Sequence, residues 1–251
     1  MLLTRFLTPL TASILVALSA GCELGNSTNF LHVLTTHHAT PEGGSFPNLG
    51  DEGDPRVFYT DLDWRVTLTE AYVVTSRIEL QACSGDVIGL DLYNGPLPEN
   101  LRERDLETYS LGGQDVPGGS YCRLLVQYGP YNPNELSGEQ QVTEPAAEEI
   151  LGATIFLAGI AEKGRDEVVF EFRSEEPIVA ALDLSQLSNG KPVRVDPSSL
   201  YPVELTTSKT YDRFFDGVDF MTMRVSDVED DLVLPLADET RVGLGSRIVV
   251  H

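Results

Sequence analysis

The sequence predicts a mainly β chain, an antiparallel β-sandwich with short helices in its connections. Three observations predict it. From Val57 to Leu80 the bulky apolar residues keep one parity: Phe58, Leu62, Trp64, Val66, Leu68, Tyr72, Val74, Ile78 and Leu80 are even-numbered, while Asp61, Asp63, Arg65, Thr67, Thr69, Thr75, Arg77 and Glu79 are odd. A period of two buries one face and wets the other, as strands in a two-layer β structure do. Turn chemistry then recurs at Asn94-Gly95-Pro96, Pro117-Gly118-Gly119 and Gly129-Pro130. Third, neither an internal repeat nor a sustained helical period is visible. The ribbon from Val57 to Leu80 is too long for one ordinary strand, so it must bend or bulge. Glu70, the one clear exception to the parity, marks a place for the break, and its inward parity demands a partner such as Tyr72, an arginine or a metal.

At the N-terminus Arg5 precedes an apolar run through Leu10, Ile14, Leu15, Val16 and Leu18 that ends in Ser19-Ala20-Gly21-Cys22. The run is too short for a membrane span and reads as an export signal over residues 1–21. Leu18, Ala20, Gly21 and Cys22 resemble the bacterial lipoprotein box, which implies cleavage before Cys22 and acylation of its sulfur. Acyl chains there would anchor the domain, each buried methylene adding about 0.8 kcal/mol. Glu23 stands where an inner-membrane retention signal would carry Asp, so the resemblance implies the outer membrane, on its periplasmic or surface face. Residues 22–29 are small and polar and read as a tether, and residues 30–251 as one β-sandwich domain.

Composition narrows the partners. The formal charge is −22, and the predicted signal holds a base but no acid, so the mature chain is more acidic still. Such a surface excludes nucleic acid and charge-driven docking on anionic lipid; it suits solubility or the attraction of cations. Cys83 closes one strand-like run and Cys122 opens another, and in an exported chain they read as a disulfide. A metal-thiolate pair is the rival reading, disfavoured because neither has a Cys or His within four residues.

Beyond the ribbon, Gly85 to Gly119 is rich in Gly, Pro, Asn and charge and reads as a long loop, with one or two helical turns over Glu99 to Glu107. Cys122, Leu124, Val126 and Tyr128 restore the strand parity. Asn134 to Glu149 reads as an acidic surface excursion. Strands are expected over Ala153 to Ile160, Val168 to Arg173, Ile178 to Leu184, Val203 to Thr207 and Arg241 to His251, with a helical turn near Leu184 to Gly190 and a helix opening at Ser226 or Asp227.

Chemistry concentrates in the histidines. His32, His37 and His38 fall within seven residues, and His251 joins them if the termini pair. On a strand His32 and His38 share a face and His37 takes the other. Neutral imidazole is a common ligand for copper, nickel and zinc, so the cluster is a candidate metal site; a polar exposed strand is the plain alternative. These histidines, the single Trp64, Gly119-Ser120-Tyr121 and Phe215-Asp216-Gly217-Val218-Asp219-Phe220 together resemble the copper-binding surface proteins associated with methanobactin operons. In that family histidines and an oxidised tryptophan form the copper site, so the resemblance implies copper and makes Trp64 a candidate site aromatic. Its parity equally makes it a core residue of the ribbon.

Asp51-Glu52-Gly53-Asp54 and Asp227-Val228-Glu229-Asp230-Asp231 are dense enough for calcium, but neither follows the spacing of a calcium loop, so calcium ranks behind copper. Tyr93, Tyr109, Tyr121, Tyr128 and Tyr131 could stack on sugar or peptide, or close a core with their hydroxyls in water. No Gly-x-Ser-x-Gly, His-Glu-x-x-His or phosphate-binding glycine loop is present. The sequence therefore predicts a non-catalytic, lipid-anchored envelope protein that binds a metal. The alternative is an adhesion or scaffold module that recognises protein or glycan through its loops.

Overall fold

A computed structural model describes residues 27–49, 55–135, 148–223 and 235–245. The strands in chain order are β1 Thr28–His38, β2 Arg56–Tyr59, β3 Arg65–Ala82, β4 Val87–Leu90, β5 Leu97–Asn100, β6 Tyr109–Pro117, β7 Gly119–Tyr128, β8 Ile155–Lys163, β9 Asp166–Ser174, β10 Ile178–Asp183, β11 Val193–Val195, β12 Val203–Thr210 and β13 Thr240–Leu244. One sheet runs β13-β12-β1-β6; the other runs β10-β7-β3-β8-β9, with β11 on β7 and β2, β4 and β5 on β3. The architecture is the predicted sandwich, and a principal core drawn from both sheets fills it, from Leu31 and Val33 to Val66, Leu124, Phe172 and Leu205. No helix among the described residues is long and apolar enough to cross a membrane.

The long ribbon is β2 and β3, separated by a turn at Thr60–Trp64 in which Thr60 N donates to Trp64 O. Its break falls where Glu70 predicted it: the register against β8 shifts between Leu68 and Glu70. A one-residue slip exchanges the two faces of a strand. Val66 and Leu68 point into the principal core before the slip, Ala71 and Val73 after it. Tyr72 and Val74, read from parity as partners of Val66, instead join a smaller core with Tyr131, Ile150, Ala153 and Phe156. A second shift between Thr75 and Arg77 against β7 restores the even face, and Ile78 and Leu80 return to the principal core. Glu70 is half-buried and meets Arg102 Nη1 at 3.2 Å.

Three expectations change. The stretch from Gly85 to Gly119 is no loop: it supplies β4 and β5 to one sheet and β6 to the other. Its glycines hid this because two of them are close-approach positions: a Cβ at Gly112 would lie 2.2 Å from Asp91 O, and one at Gly113 2.4 Å from Leu31 O. The predicted helical turns at Glu99 to Glu107 give way to the end of β5 and tight turns. The sheets are also not wholly antiparallel, since β1 and β12 pair in parallel from Leu31↔Val203 to His38↔Thr210. Strands so far apart in sequence are joined by no hairpin and are free to align either way. The helix expected from Ser226 or Asp227 lies outside the described residues; the described helices are short, such as the 3-10 segments Leu184–Ser188 and Tyr211–Phe215.

Cys83 and Cys122 are joined in a disulfide, with their α-carbons 5.0 Å apart. It ties the end of β3 to β7, where Cys83 N also donates to Ser120 O.

Candidate functional site

Along β1 the odd positions face the core, and their chemistry changes with height: Leu31 and Val33 are apolar, Thr35 and His37 polar, and all four are fully buried. Two more buried polar residues meet them. Glu99 arrives on β5 and Lys209 on β12. Lys209 Nζ donates to Glu99 Oε2 and to Thr35 Oγ1, both at 2.7 Å, and Thr35 Oγ1 donates onward to Glu99 Oε2 at 2.8 Å. His37 Nδ1 lies 3.0 Å from Glu99 Oε1, and His37 Nε2 lies 3.2 Å from the Glu103 carbonyl oxygen. A carboxylate and a carbonyl are both acceptors, so each ring nitrogen of His37 faces one. Glu99 thus stands between the Lys209 ammonium and the His37 ring.

The electrostatics follow. Burial pushes the Glu99 carboxyl up, but the Lys209 ammonium together with the charge and hydrogen bond of His37 outweighs it and carries it down to about 2. Burial pulls Lys209 down, and Glu99 beside it more than compensates, so it titrates above its ordinary range. The Lys209 ammonium also sits 5.9 Å above the Tyr128 ring, whose hydroxyl pairs with Thr240 Oγ1 at 2.9 Å.

A polar layer continues from His37. Its ring tilts against Tyr211 at 6.0 Å; Tyr211 Oη donates to Asp105 Oδ1 at 2.8 Å and accepts from Asn48 Nδ2 at 2.6 Å. Thr40 N donates to Asp212 Oδ1 at 2.9 Å. Burial raises both Asp105 and Asp212. The structure therefore gives Glu99, Lys209, Asp105 and Tyr211 roles that sequence reasoning did not assign. The available signal was parity: His37 shares the odd face of Leu31 and Val33, so it had to be buried and needed a counter-charge.

The predicted site residues do not converge. His37 is held as above. His38 is buried, its Nδ1 3.0 Å from Ala39 O and its ring edge-on to Phe46. Trp64 lies in the core, T-shaped against Phe220, and the rings of Phe215, Phe58 and Tyr211 stand between Phe220 and His37. His251, Cys22 and both calcium candidates lie outside the described residues. Among the described residues no group of three or more His, Cys, Asp or Glu side chains could hold a metal ion. Among the described residues, the predicted donors His32, His37 and His38 and the site aromatic Trp64 thus do not share one site. Of the tyrosines, Tyr121, Tyr128 and Tyr131 are buried, while Tyr93 is exposed beside His32 with ring centroids 5.9 Å apart.

His32 is different from the other described histidines because it reaches solvent. It pairs in register with Glu204 of β12, and its Nδ1 lies 3.8 Å from Glu204 Oε1. That is too long for a hydrogen bond, yet an ion about 2.0–2.2 Å from each donor would span it. Glu204 also lines a groove of about 400 Å³ between the two sheets, with Ser188, Val193, Arg194, Pro202, Val203, Leu244 and Gly245.

No protein-family model matches the chain, and no curated protein sequence matches it. Among solved structures, MbnP from Methylosinus trichosporium is similar, with 13% identity over 72% of this chain and 76% of that chain and a TM-score of 0.35. A likeness of that size carries no argument about the site.

Proposed function

We propose that this chain is a lipid-anchored, non-catalytic binding protein of the cell envelope, anchored through Cys22, and that His32 and Glu204 meet a transition-metal ion such as copper. The observation that carries the proposal is the contrast between the two polar sets. Glu99, Lys209, Thr35 and His37 hold one another in a buried set, in which both nitrogens of His37 are already committed. The His32 and Glu204 pair is accessible, and its donors are spaced for an ion. Imidazole with carboxylate suits copper and zinc better than calcium, which prefers a shell of oxygens. Gly245 N donates to Glu204 O and helps fix the backbone of this pair.

The test is copper titration of the mature domain without a histidine tag. Wild-type protein should bind copper near one per chain, and His32→Ala should weaken binding at least tenfold, since loss of even an outer-shell partner of a ligand typically costs about that much. His251→Ala reports whether the terminal histidine contributes. Copper binding unchanged by His32→Ala would remove the metal from this reading. The second reading would then stand, a module that recognises protein or glycan. What favours it is the inter-sheet groove, which offers one cation, one anion and the apolar side chains of Val193, Pro202, Val203 and Leu244.

A further inference from the structure

The connection from β11 to β12, Asp196 to Pro202, carries the two most exposed large apolar side chains among the described residues. Leu200 is 94% and Tyr201 79% exposed. Their turn is built to hold them out. Asp196 Oδ1 accepts from Ser198 N at 2.9 Å and Ser198 Oγ at 2.7 Å, and Ser199 N donates to Asp196 O at 3.0 Å. Ser199 Oγ donates to Tyr201 O and accepts from Tyr201 N. A turn closed this fully by its own polar groups loses little freedom when its tip is buried in something else.

The same turn is fastened to the place where the tether enters the fold. Asn29 Nδ2 donates to both Asp196 O and Tyr201 O at 3.0 Å. Pro197 packs on Gly118 so closely that a Cβ there would lie 2.3 Å from Pro197 Cγ. Gly118 N in turn donates to Ser27 O at 3.0 Å. Only four residues lie between Cys22 and Ser27, and the five steps of chain span at most about 18 Å even when fully extended. With acyl chains on Cys22, this pole of the sandwich is held against the bilayer. Phe30, 37% exposed, stands on β1 beside Asn29 at the same pole.

We infer that Leu200 and Tyr201 insert into the bilayer interface, as a second membrane contact carried by the fold itself. The inference rests on the lipid anchor proposed above. Tyrosine with an adjacent aliphatic side chain suits the interfacial zone, where the ring lies among acyl chains and the hydroxyl among headgroups. The chain's charge of −22 opposes anionic headgroups, so the contact is apolar and suits zwitterionic lipid. It would fix the orientation of the domain and place the inter-sheet groove, lined by Arg194, Pro202 and Val203 at the two ends of the same turn, beside the headgroups.

The test uses the exported, processed protein as purified, in phosphatidylcholine vesicles with and without lipid brominated on its acyl chains, and the variants Leu200→Trp and Val169→Trp. Val169 is 76% exposed on β9, outside this pole, and serves as the control. Leu200→Trp emission should be quenched at least twofold by brominated lipid, while Val169→Trp and the wild type, which holds only the buried Trp64, should change little. Equal, weak quenching of both variants would overturn the inference. The mass of the mature N-terminus decides the anchor separately. Quenching without acyl mass would sustain the contact and sink the anchor, acyl mass without quenching would do the reverse, and absence of both would sink both.

Discussion

Glu99→Ala should cost the fold about 3–5 kcal/mol, the penalty for removing one partner from a buried ion pair. The substitution strands the buried Lys209 ammonium, for which Thr35 is the remaining acceptor, and takes the carboxylate away from His37 Nδ1. Lys209→Ala should be milder, because the His37 ring and the Thr35 hydroxyl still meet the Glu99 carboxylate. The double change Glu99→Leu with Lys209→Met should recover part of the loss, since exchanging a buried pair for apolar side chains of similar volume is often close to neutral. Urea unfolding of the three variants measures all of this; equal losses for Glu99→Ala and the double variant would mean that packing, not charge, governs the site.

The same residues set the pH response. The folded Glu99 carboxyl titrates near 2, below its unfolded value, so its contribution is present above about 4.5 and is lost as pH falls toward 2. Lys209 is raised in the folded state, so its contribution is present below its unfolded value and is lost as pH rises through the folded one. Asp105 and Asp212 are raised by burial and act oppositely to Glu99: their contribution is lost as pH rises and regained in mild acid. Stability should hold or rise as pH falls from neutrality to about 4.5, then fall steeply below it. In Glu99→Gln the acid fall should be shallower.

Cys83→Ser with Cys122→Ser should cost about 4 kcal/mol by loop-closure entropy for a separation of 39 residues. The bridge joins the end of β3, the central strand of the larger sheet, to its neighbour β7, so the reduced protein should lose the end of their pairing, Ala82↔Tyr121 and Gln81↔Arg123, first. Hydrogen exchange at these amides, with and without reductant, reads the local effect, and the shift in urea midpoint reads the global one. A loss below about 1 kcal/mol would mean that the reduced unfolded chain keeps the two strands together.

Much of the larger sheet was legible because its strands alternate. Parity located β3, the strand run of β7 and the alternation of β9, and even the exception at Glu70 marked a real slip. What parity does not carry is the consequence of the slip, which sends Tyr72 and Val74 to a second core. The stretch holding β4, β5 and β6 was illegible for a related reason: its glycines are demanded by close backbone approach, which in sequence looks like loop composition. The buried ionic set was hidden because Glu99 sits in Leu-Pro-Glu-Asn and Lys209 in Thr-Ser-Lys-Thr, segments that look solvated one at a time. Only pairing of β1 with β12, and of β5 with β3, brings them together. The histidine cluster was visible as a cluster, but strand face alone does not divide it: His37 is buried on the core face, and of His32 and His38, which share the other face, only His38 is covered, with Phe46 against its ring.

The most direct test of the account is histidine side-chain nitrogen NMR of the mature domain while cuprous ion, which is diamagnetic, is added. The His32 ring nitrogens should shift on binding while the His37 ring nitrogens, both held by acceptors, stay where they are. A shift of the His37 nitrogens with His32 unmoved would contradict the account and return the site to the buried end of β1.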